Sequence, residues 1–355
     1  AAELLGAPET PYLAQFTHAY RYFAGETIGS NPVVAYPPAS VFNLWDEETR
    51  VLLEHLGVPR HELYRALQGA SPPTDYPDWI AAERLAVSRR AYRLITALDP
   101  GDQALWGLDA SWVTSLGGMP LFLQKGRITF DEAREILAGS SATTGATIVT
   151  DPADPCDTTK MTISGLTSAK LNLIARILRL RRALGWTIHE TERTVGTLGA
   201  GTIDPTFVRT VARLEDVRAR LRLSPLAASA LYADLARHKG ILPYSFFGTV
   251  FLNKTVADPD SVAFAEIDAT GAPTGSPDLN THKPAILSSL DLANADYVLC
   301  VAPDAGSIAA GNALQLHYPV GTVALTLESL SRLYRVVTFA RGLRMPLRLY
   351  LVLQA

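Results

Sequence analysis

A four-residue pattern recurs seven times along this 355-residue chain and constrains its fold more than any other feature. The copies are Leu56-Gly57-Val58-Pro59, Leu85-Ala86-Val87-Ser88, Gly126-Arg127-Ile128-Thr129, Leu184-Gly185-Trp186-Thr187, Leu221-Arg222-Leu223-Ser224, Leu290-Asp291-Leu292-Ala293 and Leu343-Arg344-Met345-Pro346. The template is apolar, any residue, apolar, then Ser, Thr, Pro or Ala, followed by a helical run. Only the Gly126 copy lacks the first apolar residue, and Ala293 is the weakest cap. Each fourth position suits a helix start. A hydroxyl accepts an orphan backbone N–H, and a proline fits the first turn, where its missing donor costs nothing. The copies are unevenly spaced, so they describe a degenerate set of helical hairpins and not a solenoid of fixed period.

The clearest hairpin runs from Met161 to Val195. Leu166, Leu171, Ile174, Ile177, Leu178 and Leu184 recur at threes and fours and draw an apolar stripe along a helix. Lys170, Arg176, Arg179, Arg181 and Arg182 lie beside it and are expected to face water. Gly185 can take the left-handed conformation that ends a helix. Thr187 then caps the next one, with Glu190 closing a capping box. The pattern predicts an all-α fold, an irregular array of helical hairpins with at most a small β-hairpin insertion. Residues 1–40 read as an extended connector with one short helix, Pro11 to Phe23. A hairpin lobe covers 41–138, a Ser/Thr/Gly/Asp-rich loop and boundary 139–160, and central hairpins 161–239. An irregular segment occupies 240–284, and the C-terminal hairpins occupy 285–355. Short strands are predicted at Ala146–Val149 and, from alternating apolar and polar residues, at Val262–Asp268.

Composition narrows the function classes. An apolar fraction of 48% supplies a large core and excludes wholesale disorder. A net charge of -3 argues against a nucleic-acid partner. Two distant cysteines, Cys156 and Cys300, make neither a disulfide framework nor a zinc site by themselves. No signal peptide is visible, and both ends read as cut, so a fragment of a longer protein is expected. The longest uncharged run, Ala305 to Leu327, holds too many polar residues and glycines for a membrane span.

No motif carries catalysis, a cofactor or a metal. His189-Glu190-Thr191-Glu192-Arg193 begins like a zinc-protease helix, but Arg193 stands where the second histidine belongs, so a solvated, capped helix start is expected. Gly196-Thr197-Leu198-Gly199-Ala200-Gly201 lacks the Lys-Ser/Thr of a phosphate loop and reads as a helix-to-helix connection. Asp151, Asp154 and Asp157 are three apart, where calcium loops alternate their oxygens. Cys156 is expected to be a small packed thiol. His18, His55, His61, His189, His238, His282 and His317 are scattered, and surface positions are expected, with a pH-switch role open for some. The basic run Arg176 to Arg182 fits a solvated face, with acidic lipid or nucleic acid as the alternative.

Several stretches together resemble one family. Leu330-Ser331-Arg332-Leu333-Tyr334-Arg335, with Phe339-Ala340-Arg341-Gly342-Leu343-Arg344-Met345, is similar to the recurring helices of the A subunits of Tc (toxin complex) insecticidal toxins. So is Ile174 to Trp186, followed by Ile188 and Glu190. Glu54 to Leu63, Leu105-Trp106-Gly107, and Phe251-Leu252-Asn253-Lys254 before an Asp-rich loop fit in the same order. The resemblance spans roughly Pro37 to Gln354. It implies a segment of the α-helical shell of a secreted, pentameric, channel-forming toxin, non-enzymatic and without cofactors. Its implied partners are the other protomers of the homopentamer and a host-cell surface receptor or glycan. The chain has no long pore helices and no room for sizeable receptor modules, which departs from a whole A subunit. A helical scaffold or adaptor unrelated to toxins is the alternative. An enzyme with its site in Gly240–Pro284 is the third reading.

Overall fold

The structure, a computed structural model, describes residues 44–67, 73–98, 106–139, 145–252, 261–275, 277–301 and 324–354. The expected helix from Pro11 to Phe23, the connector around it and most of Ala305–Leu327 lie outside these residues. Among the described residues there are seventeen α-helices and one two-stranded antiparallel hairpin, so the protein is all-α with a small β insertion.

The helices are α1 (Leu44–His55), α2 (Arg60–Ala66), α3 (Tyr76–Arg84), α4 (Arg89–Ile95), α5 (Trp112–Ser115), α6 (Met119–Gly126) and α7 (Phe130–Leu137). Strands β1 (Thr147–Val149) and β2 (Thr162–Ser164) follow, pairing Ile148 with Ile163. Then come α8 (Ser168–Leu184), α9 (Ile188–Leu198), α10 (Pro205–Leu221), α11 (Pro225–Ser229), α12 (Phe246–Phe251) and α13 (Ser261–Thr270). A 3-10 turn at Leu279–His282 leads into α14 (Lys283–Ser289), α15 (Asn294–Val301), α16 (Leu327–Gly342) and α17 (Leu347–Gln354).

All seven copies of the four-residue pattern are corners between consecutive helices. At each corner the second residue is left-handed: Gly57, Ala86, Arg127, Gly185, Arg222, Asp291 and Arg344 have φ between 47 and 70°. At each, the third residue's N–H donates to the carbonyl five residues back, from Val58 to Leu53 through Met345 to Ala340, at 2.8–3.2 Å. This is the Schellman closure, which satisfies an orphan carbonyl at the helix end. It explains the whole pattern. The second side chain points to solvent, so any residue is admitted there; all seven are exposed. The third turns back onto the helix it closes, so it is apolar; Val87, Ile128 and Trp186 are buried. The fourth begins the next helix. Ser88, Thr129 and Ser224 accept the N–H groups of Ala91, Glu132 and Ala227, and the Glu132 and Glu190 carboxylates return to the N–H groups of Thr129 and Thr187.

The chain divides into two compact units, Ala1–Val195 with Gly201–Arg213, and Gly196–Ala200 with Leu214–Ala355. The first has a core of Trp106, Leu116, Met119, Phe122, Ile136, Leu171, Ile174 and Leu178, all but sealed from water. The second is built on Phe247, Phe251 and Phe264, whose rings lie 5.1 and 5.6 Å apart, with Ile286, Leu330 and Leu333 around them.

The structure overturns several sequence expectations. Val262–Asp268 is helix, inside α13, and not a strand. Phe264 and Ile267, three apart, are both fully buried, while Val262 is 69% exposed, so the apparent alternation is one helical face. The β insertion lies instead at 147–149, as expected, and pairs with Thr162–Ser164, inside the stretch from Met161 expected to form a helical hairpin. α11 is short and stops at Ser229, and the carbonyls of Ala230 and Ala233 just beyond it accept from Arg335 of α16.

Candidate functional site

The centre of the first unit is α8. From Ile174 to Leu180 only Arg176 is more than marginally exposed, so this helix is surrounded on every side. Its arginines therefore do not form the solvated face expected from the stripe. Arg176, Arg179 and Arg182, three apart, share one side, and Arg176 and Arg182 end on carbonyls of neighbouring segments. Arg176 donates through Nε to the Ile95 carbonyl at 2.7 Å, at the C-terminus of α4, and through Nη2 to the Ile203 carbonyl. Arg182 donates through Nη2 to the Gly126 carbonyl at 2.8 Å, at the C-terminus of α6. Arg181 pairs with Glu132, whose other oxygen closes the capping box of α7. Arg179 is 6% exposed; burial, with Arg182 and Arg90 adding to it, pushes its pKa down to about 10.

A second ionic centre joins α7 to α9. Glu135 Oε1 accepts from Arg193 Nη1 at 2.6 Å and faces His189 Nδ1 at 3.1 Å. Arg193 also donates to the His189 carbonyl one turn earlier. Glu135, Glu192 and Arg193 are 5%, 1% and 2% exposed, so the expected solvated start of α9 is instead a buried charge network. Burial lowers the Arg193 pKa against the opposing pull of Glu135. Gly139 makes room for it: a Cβ there would overlap the Glu192 carboxylate.

The same device recurs in the second unit. Arg335 donates to the carbonyls of Ala230 and Ala233 at 3.0 and 2.9 Å, just beyond α11. Arg237 reaches the Asp268 carbonyl at 3.3 Å in the last turn of α13. Arg341 reaches the Asp291 carbonyl at a corner. These cations sit where helix ends present partial negative charge and unmade hydrogen bonds. Chemically they are clamps: they satisfy helix ends and fix one rod against another.

The remaining sequence candidates are dispersed. Arg193, standing where zinc chemistry would need a histidine, is committed to Glu135. Asp151 and Asp154 form a short bridged turn, and Lys160 neutralises Asp154 and Asp157 at 3.4 Å each. Among the described residues no group of three or more His, Cys, Asp or Glu side chains is placed to hold a metal. Cys156 is exposed, not packed as expected; its sequence neighbours Asp154, Asp157 and Thr158 are polar. Cys300 is the buried thiol, and desolvation, then Asp296, push its pKa up to about 12, which keeps it unreactive. His55 is exposed, His61 and His238 are half-buried, and His282 packs edge-on to Phe264. His18 and His317 lie outside the described residues. Glu135 was missed by sequence reasoning, and Arg179 was sent to water although it is buried. The threefold spacing of arginines inside an otherwise apolar helix was the available signal.

The molecule thus belongs to the class of all-α proteins made of corner-linked, arginine-clamped helices. No protein-family model, curated protein sequence or solved structure matches the chain. Among the described residues no helix is long and apolar enough to cross a membrane.

Proposed function

We propose that this chain is a structural segment of the α-helical shell of a Tc-type toxin A subunit. It is a non-enzymatic piece of a secreted homopentamer enclosing a translocation channel, and it contributes to assembly or to contact with a host surface. The observation that carries this reading is the single corner geometry repeated at seven sites in an all-α chain. Three of those corners, at Leu56, Leu184 and Leu343, fall inside the stretches that resemble the Tc shell helices. The arginine clamps support it too, since a shell that holds a channel shut needs rods fixed end to side. The test is electron microscopy of the full-length product of its reading frame. Bell-shaped particles with five-fold symmetry are expected; a monomeric arc would overturn the reading.

A helical adaptor unrelated to toxins is the second reading. It draws on Val51, Leu52 and Leu56 of the first hairpin, which are 64, 63 and 71% exposed and offer an apolar edge to a protein partner. A monomer that captures one defined protein through that edge would favour it.

A further inference from the structure

The first helical hairpin, α1 with α2, is attached to its unit by charge more than by burial. No residue of α2 is buried, and none from 48 to 55 in α1. The hairpin contributes Leu53, Leu63 and Tyr64, all half-buried, and the Tyr64 ring meets Tyr76 of α3 edge-on at 6.1 Å. Val51, Leu52 and Leu56 are exposed. The sealed core begins with the next two helices, where Ala81 and Ala82 of α3 and Ala91, Tyr92, Leu94 and Ile95 of α4 are buried.

Two arginines of the hairpin converge on one carboxylate of α3. Glu83, its side chain 5% exposed, accepts on Oε2 from Arg50 Nε at 3.1 Å and on Oε1 from Arg50 Nη2 at 3.4 Å. Arg60 Nη1 lies 3.4 Å from the same Oε1. Arg50 also donates to the Val87 carbonyl at 2.9 Å, at the corner between α3 and α4, and the Tyr76 hydroxyl donates to the Tyr64 carbonyl at 2.7 Å. A cleft of about 340 Å³ opens beside these pairs, with Glu54 and His61 on its walls, so the seam is not filled as an interior is. Apolar burial ties a segment to the cooperative core, and a segment with little of it opens at a lower free energy than the whole. The ion pairs do not replace that burial: on opening, Glu83 and its arginines recover the hydration given up on closing, so the intact pairs add little net hold. Removing one partner acts more strongly, because it leaves the other charge buried and uncompensated until the hairpin opens.

We infer that the α1–α2 hairpin is a latched arm: it leaves α3 while the rest of the first unit stays folded, and the Arg50–Glu83–Arg60 contact sets how often. Off the unit, helices of 12 and 7 residues are too short to persist in water, so the arm unwinds as it opens. Opening adds Leu53, Leu63 and Tyr64 to the apolar side chains already exposed, so the latch controls how much apolar surface the hairpin displays. The inference is independent of the shell reading.

The test is hydrogen exchange of the full chain, read by mass spectrometry, in the wild type and in two variants that undo the latch from opposite sides of the seam. In the wild type the amides of α1 and α2 are expected to exchange together, at least a hundredfold faster than those of α8 after correction for intrinsic rates. Glu83→Gln, which leaves two arginines without their carboxylate, is expected to speed exchange in α1 and α2 at least fivefold and to leave α8 unchanged. Arg50→Gln, made on the arm itself, is expected to act on the same amides, so the comparison stands even where Glu83→Gln disturbs α3. Protection of α1 and α2 equal to that of α8 overturns the arm. Unchanged exchange of the arm in both variants overturns the latch, and acceleration of α8 by the same factor as the arm shows one cooperative unit and overturns both.

Discussion

Five residues of this protein sit in left-handed backbone without being glycine at the second position of a corner: Ala86, Arg127, Arg222, Asp291 and Arg344. Each bears a strain of about 1 kcal/mol that glycine would avoid, part of which glycine returns through its freer unfolded chain. Arg222→Gly is therefore expected to raise stability by roughly 0.5 kcal/mol, and Arg222→Val, β-branched at positive φ, to lower it by about 1–2 kcal/mol. Urea midpoints at constant slope read both. A second prediction concerns Cys300. Its pKa rises from 9.0 to about 12 on folding, so the folded state holds its proton more tightly. The stability this contributes is complete below pH 9 and is lost as pH climbs from 9 towards 12. Tyr297, also raised to about 12 by burial, joins only above its ordinary 10.0. Between pH 9 and 10 stability is expected to fall by on the order of 1 kcal/mol, and Cys300→Ala to flatten that window. In the same samples at pH 8, a thiol reagent is expected to label Cys156 alone until denaturant exposes Cys300.

At the scale of elements, corners and clamps differ in how far they could be read. The corners were legible because their chemistry is local: closure, apolar return and cap all fall within about six residues. The left-handed residue was foreseen only at Gly185, since Arg222 or Asp291 gives no sign of its φ in its own identity. The clamps were not legible. Arg176 meets Ile95 at a distance of 81 residues along the chain, and Arg335 meets Ala230 at 105. A stripe analysis sees only that an arginine is off the apolar line and sends it to water. The strand expected at Val262–Asp268 failed for a related reason, because small residues such as Ala263 and Ala265 fit either period. Arg176→Ala is expected to cost about 2–3 kcal/mol, since it strips a charged donor from two carbonyls. Arg176→Lys is expected to recover less than half of this, because one ammonium does not span both positions. Thr129→Ala removes a cap and is expected to cost about 1 kcal/mol. Thermal or chemical denaturation distinguishes these magnitudes.

On the scale of the whole molecule, each compact unit has a core of its own, centred on Phe122 in one and Phe247 in the other. Phe122→Ala and Phe247→Ala are each expected to destabilise by about 3–5 kcal/mol. Followed by hydrogen exchange, each is expected to loosen amides of its own unit; a uniform loss of protection everywhere would show a single cooperative block. Fold class was readable from sequence because seven local corners leave a chain little choice but paired rods.

The long reach of the clamps bears on how this chain is made. Synthesis delivers α4 and α6 well before α8, yet the carbonyls of Ile95 and Gly126 accept from Arg176 and Arg182. On the ribosome the early rods must wait, their ends still hydrated, until the middle of the chain leaves the exit tunnel and locks them. The first unit is thus finished from its centre outward, and a nascent chain halted before residue 176 is expected to be a ready substrate for proteases.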